Sequence, residues 1–475
     1  MLKRPRILTD TPYAVNSGRV LVVVALAALL ATLASGVRAA GPVPTTGDLR
    51  LLVILAGFPD RPLGEPRTHF VGGPESLVDR LVGYYAEVSS GRLRIVPHLA
   101  GPIVTLPEPR ARYVQRSSAL AGDALRALAA AATDEADRGA LRDSQAVVVF
   151  FPGPGRESYM RPGESGDPWS NYTELTPPVL GFDEACVVAA SQYEPLSSFG
   201  VLCHEFGHLL GLPELYAPGG AAHEGIGKWG LMGQGTWVGR GEHPPPLDAW
   251  SKVKLGWVDV VTVDRTTPGV RVPAVATEPV VVKIPAVPGK PQEYYLLENR
   301  ERTGSDRGIP GDGILVWHVD ESVGGFRTAQ SNPRHKLLHL VEADGRGDLD
   351  VGTRNGGNRG DAGDAWAGPP RWQRRVGNVL AFAGAVYVML ALYRTTRRRS
   401  LVVALLYALI GGAALWGAGR LRAGPVCGPQ TPGMAPYGGE PGRVVLRNFS
   451  PAGPVMQVDV LVAPAGAPAA AAPSG

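Results

Sequence analysis

Cysteine is scarce in this chain: three in 475 residues, Cys186, Cys203 and Cys427, with no two in a CxxC pair. That excludes a disulfide framework, a zinc ribbon and a thioredoxin-type redox motif, and leaves room for one bridge at most. Charge is thin as well, at 19% of residues against 44% hydrophobic, which excludes disorder throughout and supplies enough apolar mass for two or three domains. Gly 62 and Pro 44 fall short of a fibrous or low-complexity composition and point to a loop-rich globular protein. Acid is missing where base collects. Residues 1–40 carry a net +4 and residues 371–422 hold nine arginines without one Asp or Glu, so the rest of the chain stands at −9 although the whole is +4. An acidic remainder argues against nucleic acid as a partner, because phosphate binding needs a basic surface.

Three apolar runs lack any charge. Val20 to Ala34 is a 15-residue run behind a basic segment, followed by small residues at Val37 and Ala39. Residues 1–40 therefore read as an export signal or an N-terminal anchor, and either takes the following domain out of the cytoplasm. Val376–Tyr393 and Leu401–Gly419 are 18 and 19 residues long, each enough to reach about 27 Å as a helix. The connection between them carries Arg394, Arg397, Arg398 and Arg399. We expect a transmembrane hairpin over 376–419 with this loop in the cytoplasm, so that the membrane itself is a partner.

Between these runs the pattern is layered. Leu49–Phe58 and Ala146–Phe151 are continuous apolar runs, as in buried strands. Leu77, Leu81, Tyr84, Tyr85 and Val88 repeat at helical spacing behind Ser76, and a second helix is expected within Ala119–Ala132. From residue 262 the pattern changes to short β-branched runs, Val270–Val275, Val280–Ile284, Tyr294–Glu298 and Ile314–Val319. The expected fold is α+β: a catalytic domain over 49–261, then a β-rich domain over 262–370 that the hairpin interrupts and that returns over 433–462. Residues 463–475 are Ala/Pro-rich and read as a disordered tail.

The chemistry sits in His204-Glu205-Phe206-Gly207-His208-Leu209-Leu210-Gly211-Leu212-Pro213-Glu214. Histidines four apart on a helix share a face and can offer two imidazoles to one metal. Glu205 lies beside them, placed to take a proton from an activated water without being a ligand. Leu202, Phe206 and Leu209 face the other way, Ser197 or Ser198 can cap the start, and Gly211 suits the left-handed residue that ends a helix. If the chain reverses there, Glu214 returns as a third ligand, and two histidines plus one carboxylate with an open position is a catalytic zinc arrangement.

HExxHxxGxxE followed by Trp229-Gly230-Leu231-Met232-Gly233 resembles a metzincin active site with its Met-turn. The specific likeness is to the immune inhibitor A family of secreted bacterial metallopeptidases. Further matches are Leu212-Pro213-Glu214-Leu215-Tyr216, Ala249-Trp250 through Gly256-Trp257, Gly313 through Asp320, and Gly360-Asp361-Ala362-Gly363-Asp364. The resemblance implies a metzincin-like fold, one catalytic zinc on His204, His208 and Glu214, Glu205 as the base in peptide-bond hydrolysis, and Met232 as a packing floor. Substrates would be proteins or peptides. Three features depart from the pattern: Glu214 is one methylene longer than Asp, Gln234 stands where some metzincins carry a tyrosine after the Met-turn, and only about nine residues separate Ala40 from the first strand, too few for a propeptide. These departures keep a second reading in view, a catalytically inactive surface protein that binds a metal or a partner.

The acidic, Gly-rich stretch from Glu342 to Asp350 offers Asp344, Asp348 and Asp350, and with Asp361 and Asp364 these are candidate oxygen ligands for calcium, although no EF-hand loop is present. His318 and His339 read as sheet residues, and His223 and His243 as loop residues near the cleft. Cys203 reads as a buried thiol or as half of a bridge to Cys186.

Overall fold

The structure is a computed structural model that describes residues 42–158, 166–218, 223–368, 371–396, 409–415, 434, 436, 437 and 442–463. The N-terminal signal or anchor and all but the first residue of the C-terminal tail fall outside the described residues. Its first layer is a five-stranded sheet in the order β2-β1-β3-β5-β4, from β1 (Gly47–Gly57), β2 (Leu93–Thr105), β3 (Ala146–Phe151), β4 (Asn171–Val179) and β5 (Phe182–Ala189). The first four in that order run parallel, and β4 is antiparallel at the edge. Parallel pairing needs crossovers, and these carry α1 (Leu77–Val88), α2 (Ser117–Ala131) and α3 (Glu135–Asp143). The class is therefore mixed α/β, not the α+β expected, because helices on both faces bury a parallel sheet on both sides.

β1 shows this in its sequence. Its side chains alternate between faces, so Leu49, Leu51, Val53 and Leu55 join one core with α1, while Leu52, Ile54 and Ala56 join another with α2. A strand that feeds two cores reads as a continuous apolar run.

The second unit is two sheets face to face: β11-β10-β9-β8-β6, and β12-β13-β7. The first comprises β6 (Asp259–Thr262), β8 (Val280–Pro285), β9 (Glu293–Arg300), β10 (Gly313–Asp320) and β11 (Leu338–Leu340), and the second β7 (Thr267–Pro273), β12 (Val444–Arg447) and β13 (Val455–Val462). β13 pairs antiparallel with β7, some 190 residues earlier in the chain, so the C-terminal strands complete this unit. β9 is buried on both faces: Tyr295 and Leu297 point into the core between the sheets, and Tyr294 and Leu296 into the core shared with α1.

The transmembrane hairpin is corrected. The first apolar run lies in α6 (Arg371–Thr396), yet among the described residues no helix is long and apolar enough to cross a membrane. The helix takes in Arg371, Arg374, Arg375 and Arg394 near its ends, and Asn378, Gly384 and Tyr387 break its apolar surface. Counting uncharged residues overestimated its apolarity. Of the second run only 409–415 is described, as helix, and it packs on α6 so closely that a Cβ at Gly384 would lie 2.8 Å from Gly411 O.

Candidate metal centre

The metal-ligand motif begins on α4 (Phe199–Leu209), every residue of which is buried. Ser197 Oγ accepts from Phe199 N at 3.2 Å at its start, while Ser198 makes no side-chain cap. Its back, Leu202, Phe206 and Leu209, fills the core with α1. Gly211 ends it at φ +85°, left-handed as expected, with Gly211 N bonded to His208 O and Leu212 N to Gly207 O. The chain reverses and brings Glu214 back over the helix. His204 Nε2 lies 3.3 Å from Glu214 Oε2, and His208 Nε2 3.4 Å from Glu214 Oε1.

Each imidazole is oriented from behind. His204 Nδ1 donates to Leu231 O at 3.0 Å and His208 Nδ1 to Leu212 O at 2.8 Å, which fixes the tautomer and leaves both Nε2 atoms facing Glu214. Leu231 belongs to the Met-turn. Met232, one residue on, is fully buried beneath Gly207, where a Cβ would lie 2.6 Å from its Sδ. The methionine is thus a floor against the helix and touches the site through packing.

The set fits a metal on its own chemistry. The ligand atoms of His204, His208 and Glu214 lie within 4.8 Å of one another, and Glu214 Oε2 is buried with no hydrogen-bond donor meeting it. Burial opposes charge throughout the site, but Glu214 beside it holds His204 up to about 9. In return, and against its own burial, the two imidazoles hold Glu214 well below the usual carboxylate range. Glu205 is different. Burial raises its carboxyl, and the neighbouring histidines offset only part of this; its Oε2 accepts from Tyr172 N at 2.6 Å on the edge strand β4. It points into the cleft and is not among the converging atoms.

Sequence reasoning missed several contributors. Tyr216 donates to Glu214 Oε1 at 2.8 Å and its ring lies 6.0 Å from that of His204, stacked. Phe326, from the second unit, places its ring 4.7 Å from His208 and accepts from Glu214 N at 3.0 Å through its carbonyl. Only Tyr216 had a signal, its place two residues beyond the third ligand. Two adjoining cavities of about 460 and 220 Å³ share Trp169, Glu205 and Tyr216, with His208 and Glu214 on the first and His204 on the second. His223 and His243 line neither; His243 Nδ1 accepts from Arg307 and His223 Nδ1 from Gly225 N. Cys186 and Cys203 are both free and buried, Cys186 Sγ donating to Glu205 O at 3.0 Å.

The acidic residues divide. Asp350 pairs with Lys336 and His339, and Asp348 and Asp361 with the exposed Arg346 and with Asn358. Asp344, Asp348 and Asp361 nevertheless bring carboxylate oxygens within 4.8 Å of one another beside Arg346, and Asp344 and Asp364 converge likewise with Glu342, a residue not counted among the candidates.

Residues 182–258, from β5 through α4, Glu214 and the Met-turn to α5 (Ala249–Leu255), match the family model of the immune inhibitor A peptidase M6 catalytic domain. No curated protein matches the chain. The family match supports an immune inhibitor A-like metallopeptidase.

Proposed function

We propose that the chain is a secreted zinc-dependent endopeptidase in which His204, His208 and Glu214 hold the metal and Glu205 is the general base. The observation that carries this reading is the convergence of two back-braced imidazoles on Glu214, with Glu205 facing the cleft beside them. Zinc held there would polarise the scissile carbonyl and lower the pKa of a water toward neutrality. The residues do the rest. Leu231 O and Leu212 O hold the imidazoles in the tautomer that presents Nε2. Tyr216 occupies one oxygen of Glu214, which takes up the freedom of its extra methylene. Glu205, with its carboxyl already raised by burial, is suited to accept the water's proton at Oε1 or Oε2 and pass it to the leaving amine.

Secretion is supported by the basic and apolar N-terminal sequence, and protein or peptide substrates by the open cleft along the edge strand β4. The test is zinc content and casein hydrolysis of wild type beside Glu205→Gln. We expect about one zinc per chain in both and roughly a 10³-fold loss of hydrolysis in the variant. Zinc bound without hydrolysis in wild type would favour a surface-binding relative, and no zinc at all would refute the ligand set.

A further inference from the structure

Behind the Met-turn lies a second set of converging acids. Two backbone bonds, Ala343 N to Asp364 O at 3.0 Å and Asp344 N to Gly363 O at 3.1 Å, set the segment after β11 beside the one leading to Trp366. The pairing brings carboxylate oxygens of Glu342, Asp344 and Asp364 within 4.8 Å of one another. Asp364 is 0% exposed. Its Oδ2 accepts from Trp229 Nε1 at 2.7 Å and from Asp361 N at 2.9 Å, but its Oδ1 is buried and meets no donor.

These charges are balanced only in part: Arg346 pairs with Asp344 at 2.6 Å, and Glu342 accepts from Asp348 N at 2.8 Å and Leu349 N at 2.9 Å. Among the described residues the ion pairs of Arg346 go to Asp344, Asp348 and Asp361, and none reaches Glu342 or Asp364. Arg346 is itself 56% exposed, so water screens it. Burial, with Glu342 and Asp361 adding to it, pushes Asp364 up to about 7, and burial raises Glu342 too. A fully buried acid with one oxygen unmet, beside two further carboxylates, suits a cation that supplies charge and takes oxygen ligands.

We propose that Glu342, Asp344 and Asp364 bind a calcium ion, which braces the Met-turn through Trp229. Three converging carboxylates match a hard cation, and a buried site favours calcium over magnesium, which sheds its water reluctantly. The link to the catalytic side is short. Trp229 is held by Asp364 at its indole, and two residues on Leu231 O receives His204 Nδ1. Lys228 N bonds Arg359 O at 2.8 Å, and a Cβ at Gly360 would lie 2.9 Å from Trp229 Nε1, so the two loops interlock. Ion binding stands apart from the peptidase reading; only the effect on the catalytic metal rests on it.

The probe is terbium(III) on the full chain, because an indole hydrogen-bonded to a ligand carboxylate should sensitise its emission. We expect tryptophan-excited terbium emission that calcium displaces and equal magnesium does not. Trp229→Phe should remove the emission while calcium still raises the melting temperature. Asp364→Asn, which keeps an acceptor for Trp229, and Glu342→Gln should each weaken binding at least tenfold, and either one carries the test if the other fails to fold. Absence of sensitised emission in wild type, or emission unaltered by both substitutions, overturns the site. For the brace, zinc release to a chelating dye should be about tenfold slower with calcium in wild type and indifferent to calcium in Asp364→Asn. Equal release rates in wild type would overturn the brace and leave the ion site standing.

Discussion

Two buried clusters of charge hold Trp229, one at its carbonyl and one at its indole, and they are built on opposite principles. On one side Glu298 bonds Lys252 Nζ at 2.6 Å and Arg300 at 3.3 Å, Arg300 pairs with Asp306, and Arg300 Nη1 donates to Trp229 O at 3.3 Å. Two bases meet two acids, and all four side chains are within 4% of full burial. On the other side Glu342, Asp344 and Asp364 crowd together and the indole of Trp229 donates into the excess. The first cluster is complete within the chain; the second has a deficit of positive charge. A buried network that closes on itself reports structure, whereas one left open reports something the chain has yet to bind.

The largest effect should come from opening the closed cluster. Arg300→Met strands Asp306 and leaves Glu298 with Lys252 alone, and urea unfolding should show a loss of about 3–5 kcal/mol. If stability barely changes, the four charges are not the buried network described.

A smaller effect should separate the open cluster from the closed one by pH. Burial pushes the Asp364 carboxyl up to about 7, well above the ordinary aspartate value of about 3.9. With a raised carboxyl, the folded state holds its proton more tightly, so the associated stability is present below about 4 and disappears as pH rises through about 7. Calcium-free protein should therefore lose roughly 2–4 kcal/mol over that window by this group, a slope that Asp364→Asn removes and bound calcium flattens. A flat profile for calcium-free wild type would mean that the cluster is already compensated.

The smallest effect lies at the metal ligands, where Tyr216 plays toward Glu214 the part that Leu231 O and Leu212 O play toward the histidines. Tyr216→Phe should weaken zinc binding by about 10–100-fold in chelator competition, with an altered cobalt(II) absorption spectrum and an unchanged melting temperature of the metal-free protein. Undiminished affinity would show that Glu214 needs no such support.

What was legible in the sequence was contiguous. The helix that presents His204 and His208, the turn at Gly211 and the return of Glu214 follow from eleven adjacent residues, because helical periodicity and a left-handed glycine are local physics. β3 coincides with Ala146–Phe151 because a strand between two cores has no polar face to confuse its limits. Of the acidic candidates, Asp344, Asp348 and Asp361 do converge, but the buried group was legible only in part, since Glu342 meets Asp364 only through pairing of separate segments, and Asp350 is claimed by Lys336 fourteen residues back. Tyr172 and Phe326 reach the site from an edge strand and from the second unit, neither marked by any motif. The apolar runs after residue 376 misled for another reason: an uncharged stretch shows what a helix avoids, while its glycines, asparagine and flanking arginines decide what it can enter.

β9 leaves a practical consequence. Because Tyr294 and Leu296 complete the core beneath α1 while Tyr295 and Leu297 complete the sandwich behind it, the two units share a wall. The segment that matches the family model stops at residue 258, before that wall begins. A fragment expressed to that boundary would present the bare apolar side of its own interior to water, and a gene fusion that borrowed only the motif would inherit chemistry without a floor to stand on. The smallest heritable piece of this protein is the pair.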